Sequence, residues 1–485
     1  MNWDYLQPVK IHFGKGRISE VKDIARAIGC NNGLLVADPF FFTNGLAEKI
    51  INESEGTIIA SFGEISPNPD VTEVDECANI IREKNIGFVV ALGGGSSMDC
   101  AKAAASVALT EDSIRKYHGT GVSLPIDHLP LIAVPTTSGT GSEVTCVSVL
   151  TDHENGKKSP IVSDGFFPSV AIIDPELTYT MPPKVTAGTG IDVLSHALEG
   201  YWSKGHQPIC DACAIHAADL VFKYLYKAYE NPKDEEAREK MCEASLIAGL
   251  AFTLPKTTSS HACSFPLTNI HHIPHGEACG LTLDYFVRIN ANGYEGERID
   301  KLAKTLGFEN SDSMADAIYE LKNKMGLRND LKDLASPEMI LDEARVYGRQ
   351  LLNEHIDPKP GIYELLELLV QLDIPRAVAT ATDRNLTIER LERLDLLHYF
   401  DYLLCGDEVT KRKPHPEIYQ KVVQHFDVTP LKALVLEDSI VGVEAAYRAN
   451  IPCIMVPDLI PASDTQKNQA LAVVSSLHDV IQLFE

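Results

Sequence analysis

The sequence predicts three consecutive units: an α/β domain over residues 1–183, an all-helical domain over 184–340 and a second α/β unit over 345–485. Three observations carry this division. Short β-rich runs alternate with helical stretches from about residue 30 to 180, helical periodicity takes over after Pro182-Pro183, and the alternation resumes around Asp357-Pro358-Lys359-Pro360. A chain of 485 residues is also too long for one ordinary domain.

In the first unit the expected strands are 34–37, 57–60, 88–92, 131–134 and 170–173, with helices over 71–84 and 97–108. Uninterrupted apolar strands separated by helices predict a parallel sheet covered on both faces. From Lys184 to about Lys332 the pattern is amphipathic or buried helix, broken by loops at 204–208, 231–234, 255–260 and 271–276. Expected strands of the third unit are 377–379, 402–405, 433–436 and 453–456.

Composition narrows the function. A 45% hydrophobic and 23% charged chain is an ordinary globular protein. Its net charge of -25 repels nucleic acid and acidic membranes, and the densest basic cluster, Lys411-Arg412-Lys413, is short. No apolar run approaches the roughly 18 residues of a membrane span. The start, MNWDYLQPVK, lacks the pattern of a signal peptide, so a cytoplasmic protein is expected. Eleven scattered cysteines argue against a disulfide framework. The lone Cys210-x-x-Cys213 pair falls in helical spacing and is best explained as small buried residues.

Two polar loops suit a nucleotide. Gly93-Gly94-Gly95-Ser96-Ser97-Met98-Asp99 follows a strand and opens a helix, where glycines admit close approach and the helix N-terminus offers N–H groups to phosphate. Pro135-Thr136-Thr137-Ser138-Gly139-Thr140-Gly141-Ser142-Glu143 also follows a strand and adds hydroxyls. Neither is the GxGxxG fingerprint. Asp38, ending the first strand, can accept from ribose hydroxyls and would repel a 2′-phosphate, which favours NAD over NADP.

The helical unit carries metal-ligand types. Asp192 and His196 in Gly190-Ile191-Asp192-Val193-Leu194-Ser195-His196 are four apart on a helix and share a face; His261 and His275 follow. One carboxylate and three imidazoles suit Fe(II), Zn(II), Co(II) or Mn(II).

With the GGGSSMD loop, the PTTSGTGSE loop, IDPELT, TGIDVLSHALE and the His261 to IPHG interval in order, residues 10–330 resemble the iron-containing (group III) alcohol dehydrogenases. That resemblance implies a dehydroquinate synthase-like fold: an α/β nucleotide-binding domain plus an all-α metal-binding domain, in a homodimer or larger oligomer. It implies Asp192, His196, His261 and His275 as ligands of Fe(II), alternatively Zn(II). Gly94, Gly95, Ser96, Asp99, Thr136, Thr137, Ser142 and Lys158 are then NAD contacts. A Lewis-acidic metal would polarise an aldehyde oxygen while hydride passes from the nicotinamide.

One departure concerns the proton. The family usually has a further histidine four residues after the third ligand; here that residue is Phe265, so the candidate relay is His271 or His272, or a cofactor ribose hydroxyl with water, the two histidines being otherwise loop residues without a role. The segment Pro255-Lys256-Thr257-Thr258-Ser259-Ser260 is similar to that of phosphonoacetaldehyde reductases, which implies Lys256 with Thr257 and Thr258 as a phosphonate site. A short-chain alcohol dehydrogenase of broad specificity is the alternative.

In the third unit, a strand ends at Thr380, Lys413 sits in Arg412-Lys413-Pro414, and a strand ends in Leu436-Glu437-Asp438-Ser439. A hydroxyl, a lysine and paired carboxylates are what magnesium-assisted phosphoryl transfer requires. Residues 345–480 resemble the haloacid-dehalogenase superfamily, near its phosphatase and sugar-phosphate mutase branch, which implies Mg(II) at Glu437 and Asp438. The strand ending in D-x-D and the cap domain are missing, and 331–355 is expected to be helical. Without a nucleophile no aspartyl-phosphate can form. A structural tail is therefore expected, with a phosphatase or a phosphate-ligand module as alternatives. The dehydrogenase is expected to be cut short at the junction.

Overall fold

A computed structural model of the chain describes residues 3–293, 296–332, 358–458 and 462–482. The helices expected over 333–355 lie outside these. The chain forms two compact units, Met1–Ile340 and Leu341–Glu485.

The first unit opens with a six-stranded parallel sheet. In chain order its strands are β1 (Lys10–Phe13), β2 (Gly33–Ala37), β3 (Ile58–Phe62), β4 (Phe88–Gly93), β5 (Leu131–Pro135) and β8 (Val170–Ile173). Their order across the sheet is β1-β8-β5-β4-β2-β3. Strands β2, β4, β5 and β8 are buried throughout, as their unbroken apolar runs require. Helices α1 (Val21–Ile28) and α3 (Leu46–Glu53) cover one face. Helices α4 (Val71–Glu83) and α5 (Gly95–Val107) cover the other. The direction of winding reverses between β2 and β4, so their carboxyl ends frame the crevice in which such sheets bind ligands.

Three strands of this unit exceed the expectation. β1, Lys-Ile-His-Phe, is a short edge strand whose polar residues carry no apolar signal. β6 (Val147–Asp152) and β7 (Lys157–Val162) form an antiparallel hairpin outside the main sheet. Helix α5 begins at Gly95, two residues before the expected start, because its N-terminal residues are those of the glycine loop.

The helical part packs around α6 (Pro183–Trp202), which is buried from Gly190 to Tyr201. It lies against α7 (Pro208–Glu230), α8 (Glu235–Phe252), α9 (Ser259–Asn269) and α10 (His275–Ala291). Helices α11 (Gly296–Thr305) and α12 (Ser311–Lys324) pack on α10. A Cβ on Gly276 of α10 would collide with the Gly188 carbonyl oxygen and lie 3.0 Å from Asp192 Cβ. One turn on, a Cβ on Gly280 would lie 2.8 Å from Ile191. Glycine alone lets α10 come this near to α6. Among the described residues no helix is long and apolar enough to cross a membrane.

The second unit holds two small parallel sheets. One pairs β9 (Ala377–Ala379) with β10 (Tyr402–Leu404); the other joins β11 (Val435–Glu437), β12 (Cys453–Met455) and β13 (Ala472–Val473). Among the described residues no strand lies between β9 and β11. A cavity of about 880 Å³ lined by Ala377, Val378, Val435, Leu436, Leu365 and Leu369 opens there.

Helix α10 is also pinned from its far side. Lys322 of α12 donates to Asp284 at 2.5 Å and to the Leu281 carbonyl at 3.2 Å, with both side chains almost fully buried. Removing one partner strands a buried charge. We expect Lys322→Ala to lose about 3–5 kcal/mol in urea melts followed by helical circular dichroism. The double variant Lys322→Met/Asp284→Leu should recover most of that; an unchanged midpoint for the single variant would contradict this reading.

Candidate active site

Loops at the carboxyl ends of β2, β4 and β5 build one wall. Asp38 accepts the Phe40 N–H at 2.8 Å and so caps a short helix. The Thr136 N–H donates to the Gly93 carbonyl at 3.0 Å. A Cβ on Gly94 would lie 3.3 Å from Thr137 Oγ1, and one on Gly95 would lie 3.0 Å from Thr140, so the two glycine loops are closely fitted. Gly94 leaves the N-terminus of α5 with no side-chain cap. Ser96 Oγ accepts the Asn68 N–H at 3.3 Å, and Lys158 of β7 donates to Asn68 Oδ1 at 2.7 Å.

Asp99 and Ser142, two of the expected cofactor contacts, meet each other beside the β6–β7 hairpin. The Asp99 carboxylate accepts the Val149 N–H at 3.1 Å and the Ser142 hydroxyl at 3.3 Å. Ser142 in turn accepts from Lys102 at 2.8 Å. Burial pushes the Asp99 carboxyl up to about 6 and the Lys102 ammonium down to about 8. These side chains brace the loop against the β6–β7 hairpin. A Cβ on Gly141, at φ 59°, would lie 2.6 Å from Gly249 Cα of α8, so this same loop is keyed into the helical part.

The helical part brings together the four expected ligands. Asp192 and His196 sit one turn apart on α6, His261 on α9, and His275 at the first turn of α10. His261 Nε2 lies 3.6 Å from Asp192 Oδ1 and 3.0 Å from His196 Nε2. The His196 ring stacks on Phe252 with centroids 4.2 Å apart. Glu199, one helical step beyond His196, orients the set. It is hydrogen-bonded to His261 Nδ1 and accepts the Thr258 hydroxyl at 2.9 Å and the Ser260 N–H at 2.6 Å. With Nδ1 engaged by Glu199, His261 turns Nε2 toward Asp192 and His196.

Electrostatics favour a cation among these donors. Burial pushes the Asp192 carboxyl up to about 6 and the His275 imidazole down to about 3, and it holds His196 well below the usual range. Asp192 Oδ1 and His196 Nδ1 are buried without a hydrogen-bond partner. Unpartnered buried polar atoms on a carboxylate and an imidazole are what an N/O-ligated metal ion would satisfy. The Lys158 charge acts on His275, so β7 links the cofactor wall to the donors.

Sequence reasoning missed two residues here. One is Glu199, whose clue is its place in the His-Ala-Leu-Glu run. The other is Cys279: Asp192, His261, His275 and Cys279 present donor atoms all within 4.8 Å of one another. Its clue is the four-residue spacing from His275, the same spacing that joins Asp192 to His196.

The substrate candidates are less concentrated. Lys256 is exposed, at φ 70°, and its charge acts on the Cys146 thiol. Thr258 is corrected: its hydroxyl accepts the Trp202 Nε1–H at 2.8 Å and donates to Glu199, so it supports His261 instead of facing an anion. His271 and His272 occupy the turn between α9 and α10, outside the donor group, and Phe265 lies one turn past His261 on α9.

In the second unit Lys413 and Glu437 meet beside the end of the strand that precedes Thr380. Lys413 donates to the Ala379 carbonyl at 3.0 Å and pairs with Glu437. Glu437 also accepts the Tyr419 hydroxyl at 2.5 Å and the Ser439 hydroxyl at 2.9 Å. The carboxylate expected to bind magnesium is therefore already engaged by the protein's own donors. Asp438 is exposed, and Thr380 accepts the Thr382 N–H at 3.1 Å.

Comparison with known proteins agrees with this geometry. The iron-containing alcohol dehydrogenase profile matches residues 8–175, and the Fe-containing alcohol dehydrogenase family C-terminal profile matches 186–347. A haloacid dehalogenase-like hydrolase profile matches 291–456. Its first part overlaps α11 and α12, which belong structurally to the helical core. Alcohol dehydrogenase 4 of Schizosaccharomyces pombe is 35% identical over 68% of this chain and 79% of its own. Choline dehydrogenase of Bacillus subtilis is 37% identical over 63% and 76%. Among solved structures, sulfoacetaldehyde reductase from Bifidobacterium kashiwanohense in complex with NAD+ is 65% identical with a TM-score of 0.70, covering 71% of this chain and 92% of that one. A 1,3-propanediol oxidoreductase is 33% identical with a TM-score of 0.66, over 71% and 93%. The chain thus belongs to the iron-containing alcohol dehydrogenase family and carries a haloacid dehalogenase-like segment behind it.

Proposed function

We propose that the chain is a metal-dependent NAD(H)-linked reductase of a two-carbon aldehyde bearing a sulfonate or phosphonate group. The observation that carries this reading is the buried donor set of Asp192, His196, His261 and His275, with two unpartnered donor atoms, beside Lys158 and the glycine-loop wall. A divalent metal ion held there would supply Lewis-acid polarisation of the carbonyl oxygen, and NADH would supply the hydride.

The residues supply orientation. Glu199 fixes the His261 tautomer, Trp202 and Thr258 fix Glu199, and Phe252 covers one face of His196 and excludes water from it. The uncapped N-terminus of α5 and the Thr136-Thr137 turn would hold the pyrophosphate, and Asp38 the adenosine ribose. Lys158 would lie over the cofactor. Lys256 would pair with the acidic group of the substrate. The 65% identical sulfoacetaldehyde reductase favours the sulfonate, and a single lysine suits its single charge.

The test is NADH oxidation against sulfoacetaldehyde, phosphonoacetaldehyde, acetaldehyde and butyraldehyde. The charged aldehydes should be preferred in kcat/KM. Lys256→Ala should lower kcat/KM for them about tenfold, the worth of one charge-assisted hydrogen bond, and leave acetaldehyde unaffected. Equal turnover of all four would instead indicate a broad-specificity alcohol dehydrogenase.

The second unit, on this reading, is not a phosphatase. No D-x-D strand stands among its described residues, and Glu437 is engaged by Lys413, Tyr419 and Ser439. With magnesium and a generic phosphate ester the full chain should show no turnover. Turnover abolished by Lys413→Ala would overturn this.

A further inference from the structure

We propose that the second unit takes an extended segment of a separate polypeptide as a parallel strand between β9 and β11. Both strands end at the Lys413 ammonium, which donates to the Ala379 carbonyl of β9 and pairs with Glu437 of β11. They therefore run side by side in one direction, with the cavity of about 880 Å³ between them.

Hydrogen bonding decides what fits there. The Thr380 N–H donates to the Leu404 carbonyl and the Arg376 carbonyl accepts the Asp401 N–H, so this set of alternate residues faces β10. Ala377 and Ala379 accordingly turn their N–H and C=O groups toward the cavity. On β11 the Val435 N–H donates to the Pro452 carbonyl and the Glu437 carbonyl accepts the Val456 N–H, which leaves both backbone groups of Leu436 facing the cavity from the other side. Of these inward groups only the Ala379 carbonyl has a partner among the described residues, Lys413 at 3.0 Å. Two facing edges with unmade bonds are a template for one added strand.

The added strand must be apolar on both faces. Leu436 shares one apolar cluster with Leu365 of the helix Ile362–Gln371, and Val435 shares another with Val423 of the helix Glu417–His425, so a helix covers each face of the slot. An unbroken apolar run suits such a place. Charge sets its direction. Lys432 lines the amino end and pairs with no carboxylate among the described residues, while Asp438 stands exposed at the carboxyl end. An acidic residue before the run and a basic residue after it match a segment parallel to its neighbours. At the amino mouth Leu431 is 79% exposed, and Val428 and Leu434, which also line the cavity, are exposed with it. Such a patch marks contact with another chain.

The test adds the peptide acetyl-Glu-Val-Ile-Val-Ile-Lys-amide to the full chain and follows hydrogen–deuterium exchange. Residues 376–380 and 434–437 should exchange fast in the free chain and at least about tenfold more slowly with the peptide bound. The same peptide N-methylated at both valines should give no protection. Leu436→Pro, which removes an inward N–H and spares the ladder to β12, should abolish protection by the unmodified peptide. The charge-reversed peptide acetyl-Lys-Val-Ile-Val-Ile-Glu-amide should bind at least about tenfold more weakly. Slow exchange of both segments in the free chain would mean that the chain fills or closes the slot itself, and would overturn the proposal. So would an absence of slowing with the peptide, or equal slowing with the N-methylated one, which would reveal apolar adsorption only. Equal binding of the reversed peptide would overturn the parallel direction.

Discussion

The close approach of α10 to α6 is the contact on which the rest of the site depends. Gly276 sits where any side chain would strike the Gly188 carbonyl, and Gly280 lies against Ile191. Because the helices meet backbone to backbone, a histidine at the first turn of α10 reaches an aspartate on α6. With larger residues the helices would separate to the usual 8–10 Å between axes, and the donors would no longer share one ion. The Lys322–Asp284 pair holds the other side of α10 in place. A second glycine contact, Gly141 against Gly249, keys the threonine loop of the sheet into α8. The cofactor wall and the donors are thus held by packing of backbone on backbone, with Lys158 between them.

The polar interior works in two layers. The inner one joins His196 and His275, which burial shifts down and keeps uncharged, to Asp192, whose carboxyl burial raises to about 6. The outer one is Glu199, a buried carboxylate that remains ionised. Burial works against its charge, but His261, Thr258 and the Ser260 N–H stabilise it and keep its carboxyl below the usual range. Donors with fixed hydrogen bonds behind them can receive a divalent cation with little rearrangement.

Much of this was legible in the sequence, for reasons that particular residues make plain. Parallel strands such as the buried Val170–Ile173 and the half-buried Ala377–Ala379 write themselves as apolar runs, and the structure has them at those residues. The residues that meet there, Asp192, His196, His261 and His275, were legible because i,i+4 spacing and an ordered set of motifs mark them. β1 and the β6–β7 hairpin were not, since Lys10, His12, Lys157 and Lys158 lie in edge or solvent-facing strands without an apolar pattern. Asp99, Ser142 and Thr258 carry polar side chains that suit a ligand as well as they suit a neighbour. Only the fold shows them turned toward Lys102, Val149 and Glu199. Cys279 was missed because its distance from Asp192 is set by helix packing, which residue spacing along one helix cannot reveal. In the second unit motif order was readable, while the engagement of Glu437 and the gap between β9 and β11 are three-dimensional facts.

The most direct measurement is a crystal structure of the full chain, with diffraction collected on both sides of the absorption edge of the metal it contains. One anomalous peak per chain is expected in the first unit, within bonding distance of Asp192, His196, His261 and His275. No peak there, or a single metal at Glu437 and Asp438 instead, would contradict it.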